Sequence, residues 1–400
     1  MMTTPSSAAN WPPLGWEPQT WVPSTIWGAD AERAARGTTY RSAVPSEIAQ
    51  LTPAPSVEAA AAADVAAREL SRLDAELGGR VAAFAPVLLR SEAASSSQIE
   101  NITASARAIF SAELGAKTSR NAEMIAANTR AMTAAIELAD DVTPETIARM
   151  HEVLMAGQPH HTPGRWRDEA VWIGTRSDSP IGAEFVAPHH SRIEALIEDV
   201  TAFARRADIA PLTQVAVAHA QFETIHPFTD GNGRTGRALA QSLLRYRGVT
   251  LNVAVPVSAG LLADVEGYHR ALTAYRDGDV SPIVSAFADA AARAIGNTRE
   301  LVGELDEIRT DWDRRLTVRR SSNAWKLLDV LIRRPVLTSA AAAAELGVQQ
   351  PNIYPPLTAL VDAGILKSKA EHRRGPFWRS DEVLAAIDRF AQRAGRREAR

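Results

Sequence analysis

The sequence predicts a mainly α chain that carries one small β-hairpin and ends in a compact module of short helices and strands. Three observations predict it. From Pro55 to about Gly296, nearly every segment outside the hairpin has apolar residues at spacings of three and four, the period of a half-buried helix. Two β-prone runs, Val171-Trp-Ile-Gly174 and Phe185-Val-Ala-Pro188, flank a polar Gly/Ser/Asp/Pro stretch and read as a hairpin. Beyond Ser321, three short periodic runs precede two β-prone runs that bracket a basic turn.

Taken in order, residues 1–54 are rich in Pro, Ser, Thr and Trp and read as an extended arm or loops. Residues 55–115 read as N-terminal helices, including one from about Leu88 to Phe110 with Ile99, Ile102 and Ile109 on its apolar side. Residues 116–296 form the helical core. Thr143-Pro-Glu-Thr starts one of its helices, with an N-cap, a proline at the first position and an acidic residue in the first turn. Gln214–Ile225 is amphipathic through Val215, Ala218, Phe222 and Ile225, and Pro227 and the Asp230–Gly233 turn end it. Arg234–Tyr246 resumes the helical period at Leu239, Leu243 and Leu244.

Residues 297–320 read as a connecting helix. Its stripe of Leu301, Leu305, Ile308 and Trp312 fits docking on the core or dimerisation, and spacing alone does not choose. Residues 321–400 hold short helices at Ala324–Ile332, Thr338–Leu346 and Asn352–Ala363, a turn at Gly347, and strands at Ile365–Lys369 and Pro376–Ser380. Pro355-Pro356 falls inside the third helix, where proline costs about 3 kcal/mol or more, so that helix is broken or begins only at Pro355.

Composition narrows the function classes. The 400 residues carry 44 Lys/Arg against 47 Asp/Glu, a net charge of −3 that gives no global pull toward nucleic acid or membrane. The absence of cysteine excludes disulfides, thiol catalysis and thiolate metal sites. The N-terminus has no basic segment followed by an apolar one, and the alanine-rich Ala59–Ala67 run is interrupted by Asp64. The expectation is a soluble, cytoplasmic protein. The pairs His160-His161 and His189-His190 lie in turns, with no further His or carboxylate at metal spacing, and read as polar loop residues.

The chemistry concentrates in His226-Pro-Phe-Thr-Asp-Gly-Asn-Gly-Arg-Thr-Gly-Arg237. The glycine turn precedes a helix, whose first N–H groups and dipole favour an anion. Glycine lets the backbone approach that anion closely. Arg234 and Arg237, three residues apart, reach one polyphosphate from one face. Asp230 is a hard oxygen ligand suited to Mg²⁺. His226 suits a general base at neutral pH, a role that contributes on the order of 10²–10⁴ in rate.

This run resembles the signature of the Fic proteins, His-Pro-Phe-x-Asp-Gly-Asn-Gly-Arg-x-x-Arg, and the resemblance covers roughly residues 40–295. It implies a Fic-type helical core with a β-hairpin flap and the transfer of AMP from ATP, with Mg²⁺, to a Ser, Thr or Tyr hydroxyl of a protein substrate, the chain itself included. By that resemblance His226 is the base and Asp230 the metal ligand. Gly231, Asn232 and Gly233 form the anion cradle, Arg234 holds the β-phosphate and Arg237 reaches the γ-phosphate. Phe228 is similar to the apolar anchor of the loop. A phosphotransferase branch has lysine at the position of Gly233, so AMP transfer is favoured over phosphate transfer. Tyr268 and Tyr275, on the helix after the core, are candidates for the adenine pocket or plain core.

Two further stretches share the resemblance. Ser96-Ser-Gln-Ile-Glu100-Asn101 fits an inhibitory pattern, Ser/Thr-x-x-x-Glu-Gly/Asn, which implies that Glu100 pairs with Arg237 and obstructs the γ-phosphate. The hairpin, together with Gly164-Arg165-Trp166-Arg167 ahead of it, is similar to the family's flap, with Ile173, Gly174, Phe185 and Val186 pairing main chain to main chain with the target. Homodimers follow from family habit alone. Residues 321–400 resemble a winged helix-turn-helix. Its 13 Lys/Arg against 8 Asp/Glu suggest phosphate-backbone contact, whereas Pro355-Pro356 leaves few side chains to read bases. The competing readings are a DNA-binding regulator that uses the core as a nucleotide sensor, and an enzyme that removes AMP. No membrane partner is expected.

Overall fold

The computed structural model describes residues 11–21, 37–116, 118–158, 161–174, 178–371 and 375–395. The chain is mainly helical. It begins with an antiparallel pair, β1 (Gly15–Trp21) and β2 (Thr38–Val44), in register from Gly15 opposite Val44 to Trp21 opposite Thr38. Helices α1 (Val57–Leu77), α2 (Val81–Ile99), α3 (Ala106–Glu113), α4 (Arg120–Glu137) and α5 (Pro144–Met155) follow. A two-residue hairpin, β3 (Trp172–Ile173) and β4 (Phe185–Val186), leads into α6 (Ile193–Ala204), α7 (Pro211–Ile225), α8 (Asn232–Tyr246), α9 (Val257–Leu262) and α10 (Val265–Arg276). The last elements are α11 (Ser281–Arg315), α12 (Asn323–Arg333), β5 (Val336–Thr338), α13 (Ser339–Leu346), α14 (Tyr354–Asp362), β6 (Lys367–Glu371), β7 (Gly375–Arg379) and α15 (Asp381–Ala394). No helix among the described residues is long and apolar enough to cross a membrane.

The chain forms two compact units, each assembled from three stretches of sequence. The first comprises residues 1–67, 134–247 and 266–288. Its centre is the α7–α8 pair, and every residue of α7 from Leu212 to Ile225 is buried. Thr143 opens α5 as the sequence predicts. Its hydroxyl accepts from the Thr146 amide, the Thr146 hydroxyl accepts from the Thr143 amide, and Pro144 takes a position that needs no N–H. Asp199 of α6 accepts from the amides of Ile48 and Ala49 at 2.6 and 3.0 Å, fixing the chain after β2. The stretch read as an extended arm or loops thus includes a paired β-ribbon, and Ala43 of β2 packs with Phe185 and Ala187.

The second unit comprises residues 68–133, 248–265 and 289–400. Here α2 packs against α9, α12 and α15. The single helix expected from about Leu88 to Phe110 is two helices. Helix α2 stops at Ile99, Glu100 is its C-cap, and Asn101 takes φ +62°. The amides of Glu100 and Ile102 turn back to the Ser97 carbonyl and that of Asn101 to Gln98. Asparagine is one of the few residues that enter this left-handed region readily. Ser105 then caps α3 by accepting from the Ala108 amide. Glu100 therefore stands at the end of a helix, not in its middle, with Ser96 fully buried one turn before.

Asn297–Leu316 is not a separate connector but the second half of the 35-residue α11. Leu301, Leu305 and Trp312 of its stripe are buried within the second unit, and the Trp312 indole N–H donates to Glu382 of α15 at 2.5 Å. The C-terminal elements include a strand, β5, that the sequence pattern does not separate from the helix after it. β5 pairs with β7, and β7 with β6, in the order β5-β7-β6. The third short helix begins at Tyr354, with Pro355 and Pro356 in its first turn, where missing amides cost no intrahelical bond. Residues 372–374 of the basic turn, His160 and residues 175–177 of the expected flap lie outside the described residues.

Candidate active site

The site is built at the junction of α7 and α8, within the first unit. Helix α7 ends at Ile225 because His226 turns left-handed, φ 50° and ψ 61°, with its amide donating to the Phe222 carbonyl at 2.9 Å. That conformation costs a non-glycine residue roughly 1–2 kcal/mol. The Arg167 guanidinium offsets it by donating from Nε to the His226 carbonyl at 2.8 Å. Burial pushes the His226 imidazole down to about 4, and the positive charges of Arg167 and Arg276 act in the same direction. The Glu223 carbonyl and Asp230 oppose them. The ring is neutral at physiological pH and able to take a proton.

The loop between the helices is locked from inside. Phe228 is fully buried, stacked on the His151 ring at 3.6 Å and 7°, with Trp166 5.0 Å away. The Asn232 amide closes the turn, accepting from the Phe228 N–H and donating to the Phe228 carbonyl, both at 2.8 Å. Its side chain is thus spent on the loop, and only its backbone remains for the expected cradle. Gly231 caps α8 at φ +75°, and a Cβ there would lie 3.1 Å from both Leu154 Cδ2 and Met155 Sδ. Glycine is required twice over, by conformation and by space.

Asp230 accepts from the Gly231 amide through Oδ1 at 2.7 Å, and that oxygen lies 3.5 Å from Arg234 Nη2. Its other oxygen lies 3.7 Å from His161 Nε2. Arg234 and Arg237 occur in the first turns of α8 and are 1 % and 3 % exposed, so both guanidiniums are held within the protein rather than swept through solvent. Gly236 lets α7 and α8 approach: a Cβ there would come within 2.6 Å of Glu223 Oε1. The motif residues His226, Asp230, Gly231, Asn232, Gly233, Arg234 and Arg237 therefore share one helix-turn-helix corner.

Three more residues meet at this corner: His151 and Arg276, to which the sequence assigns no role, and Arg167, which the sequence places only in the run leading into the flap. His151 Nδ1 accepts from the Gly164 amide at 3.0 Å, so its Nε2–H donates to the Asp230 carbonyl at 3.1 Å. Burial lowers its pKa to about 4, which keeps it in this neutral tautomer. The Arg167 guanidinium donates to backbone carbonyls. Arg276 lies 3.8 Å over the Phe185 ring with its Nε buried. A histidine on a helix and two arginines near loops carry no periodic signal, and only the fold brings them together.

Tyr268 is 3 % exposed. His219 Nδ1–H donates to the Gly236 carbonyl at 3.0 Å, leaving Nε2 to accept from the Tyr268 hydroxyl at 2.7 Å. Tyr275 is equally buried and donates to Gln221 at 2.8 Å. Of the flap residues, Ile173 is 43 % exposed while Phe185 and Val186 are buried. Gly174 leaves room for Ala183, whose Cα would lie 3.0 Å from a Cβ. A cavity of about 480 Å³ opens beside the hairpin, bounded by Trp16, Ile173, Phe185, His269, Leu272 and Arg276 among others.

The Fic/DOC family profile matches residues 141–244, which include α7, the loop and nearly all of α8. Protein adenylyltransferase fic-1 of Caenorhabditis elegans is 27 % identical over 192 residues, 47 % of this chain and 35 % of that protein. Protein adenylyltransferase Fic of Drosophila melanogaster is 27 % identical over 155 residues, 39 % of this chain and 29 % of that protein. The chain thus spans about a third of the length of these curated relatives. Among solved structures, a Fic family protein from Desulfovibrio desulfuricans superposes with a TM-score of 0.48 at 24 % identity, covering 79 % of this chain and 95 % of that one. The chain thus carries a domain, residues 141–244, that matches the Fic/DOC family and contains the loop.

Proposed function

We propose that the protein transfers AMP from ATP to a hydroxyl of a protein. The observation that carries this reading is a buried imidazole at His226, one turn-loop away from a helix that bears Arg234 and Arg237, with Asp230 in the loop between them. In the proposed reaction a Ser, Thr or Tyr hydroxyl oxygen attacks the α-phosphorus. The bond from that phosphorus to the α,β-bridging oxygen breaks, pyrophosphate leaves, and the hydroxyl proton passes to His226. The N–H groups at the start of α8 take a phosphate oxygen, while Arg234 and Arg237 hold the β- and γ-phosphates. The relatives named protein adenylyltransferases support the reading.

The donor set fits Mg²⁺. One Asp230 oxygen is held by the Gly231 amide, and a hard cation takes one or two carboxylates plus phosphate oxygens. Among the described residues no group of three or more His, Asp or Glu is placed to hold a metal ion. Mg²⁺ bound at Asp230 would offset phosphate charge.

Glu100 is proposed to restrain the reaction by pairing with Arg237, a reading that rests on the Ser96–Asn101 pattern. The exposed Ile173 strand is proposed to dock the target segment by main-chain pairing. The C-terminal order of helix, strand, two helices and two strands supports a winged helix-turn-helix module. Incubating the wild type, Glu100→Gly and His226→Ala with labelled ATP, Mg²⁺ and cell lysate tests the proposal. Glu100→Gly should raise labelling and His226→Ala abolish it. Equal labelling of wild type and Glu100→Gly would remove the inhibition.

A further inference from the structure

We propose that Arg167 is a positioning residue that holds the His226 turn in its left-handed form and ties it to the chain leaving the β3–β4 hairpin. The proposal rests on His226 being the base. Arg167 is 3 % exposed and its hydrogen-bond partners are carbonyls, not carboxylates. Nε donates to His226 at 2.8 Å, Nη1 to Glu169 at 2.8 Å, and Nη2 to Pro188 at 2.7 Å and Ile225 at 3.4 Å. The Arg167 amide donates to the Pro227 carbonyl at 2.9 Å. Residues 225, 226 and 227 are thus all held by one side chain and its own backbone.

Physical chemistry says why an arginine is needed. The last carbonyls of α7 have no intrahelical partner, and the helix dipole places partial negative charge there. A cation is favoured at that end, and a planar fork reaches several carbonyls at once where an ammonium cannot. Burial lowers the Arg167 pKa to about 10, still far above neutrality, so the cation persists. Burying a charge costs several kcal/mol unless hydrogen bonds satisfy it, and here the carbonyls do so.

A helix cap alone would require only the Ile225 and His226 carbonyls. The same guanidinium also binds Pro188, two residues past β4, and Glu169, ahead of β3. It therefore spans both ends of the hairpin and the base. A target seated on that hairpin and the imidazole that takes its proton share one rigid clasp. Misplacing a reacting group by about 1 Å costs on the order of 100-fold in rate, which sets the size of the expected effect.

The test uses the full chain with Glu100→Gly as the reference, and adds Arg167→Lys, Arg167→Met or Arg247→Met. Arg247 is the control, since it also binds carbonyls, of Arg206 at 2.9 Å and Ile209 at 3.1 Å, at the C-terminal end of α8, away from the loop. Arg167→Met should lower kcat about 100-fold with KM for ATP within about threefold, and Arg167→Lys should fall between it and the reference. Arg247→Met should lose stability while keeping kcat within about twofold. NMR of the His226 ring, identified by its absence in His226→Ala, should show displaced resonances in both Arg167 variants and not in Arg247→Met.

Unchanged kcat in Arg167→Met, a loss confined to KM, or an equal kcat loss in Arg247→Met would overturn the proposal. If the reference transfers no label, the AMP-transfer reading fails, and the ring resonances then decide this proposal alone. Identical His226 resonances with and without Arg167 would overturn it.

Discussion

Replacing Gly231 by alanine separates two costs that the structure makes calculable. The residue sits at φ +75°, so any Cβ enters the left-handed region, at roughly 1–2 kcal/mol. That Cβ would also lie 3.1 Å from Leu154 Cδ2 and from Met155 Sδ, and 3.6 Å from His151 Cδ2. Forcing an added carbon into a packed site costs about 1–3 kcal/mol. The sum is about 2–5 kcal/mol. Gly157 isolates the first contribution, because it has φ +86° and nothing within 4 Å of the point a Cβ would occupy. Urea denaturation of Gly231→Ala and Gly157→Ala, compared through their midpoints, should show Gly231→Ala less stable by about 1–3 kcal/mol. Equal losses would refute the claim that Leu154, Met155 and His151 pack the loop from below. A variant that folds should also bind ATP more weakly, since the N–H groups of α8 are displaced with residue 231.

Three other outcomes follow from the same geometry. His151 and His219 have pKa values of about 4 and about 3, below the ordinary 6.5, so the unfolded chain takes protons first on acidification. Their contribution to stability is complete above pH 6.5 and is lost as pH falls toward 4. Urea midpoints should drop between pH 7 and pH 5, and a pH-independent midpoint would contradict the assignment. Turnover should stay roughly flat from pH 8 to pH 6, because His226 titrates at about 4; an acid limb near 6.5 would mean that the ring is solvated. Trp312→Ala, which removes a fully buried indole bonded to Glu382, should cost about 3–5 kcal/mol in urea denaturation, and a loss under about 1 kcal/mol would deny that burial.

The parts of the site legible in the sequence were those that a short-range rule governs. The helices on either side of the loop follow from apolar spacing at Phe222, Ile225, Leu239 and Leu243, and the turn from its glycines and proline. Thr143 announces the start of α5 by its hydroxyl and the proline after it. What was missed depends on long-range partners. The break after Glu100 hides inside a periodic apolar pattern, because Ile99, Ile102 and Ile109 keep helical spacing across it, and only Asn101 marks the turn. The strand-like character near Arg41 is legible, but its pairing with β1 is not, because 16 residues separate the two strands in sequence. Arg167 and His151 look like ordinary loop and helix residues until α7, the hairpin and α5 converge on one loop. Asn232 was expected to face an anion, yet a buried amide satisfies its nearest carbonyl and N–H first.

The central claim is that His226 accepts the proton of a hydroxyl attacking the α-phosphorus. The most direct measurement compares Glu100→Gly with and without His226→Ala, each given ATP labelled on either the α- or the γ-phosphate. The account predicts covalent protein labelling from the α-label only, and its loss with His226→Ala while nucleotide binding persists. Labelling from the γ-phosphate, or α-labelling that survives without His226, would contradict it.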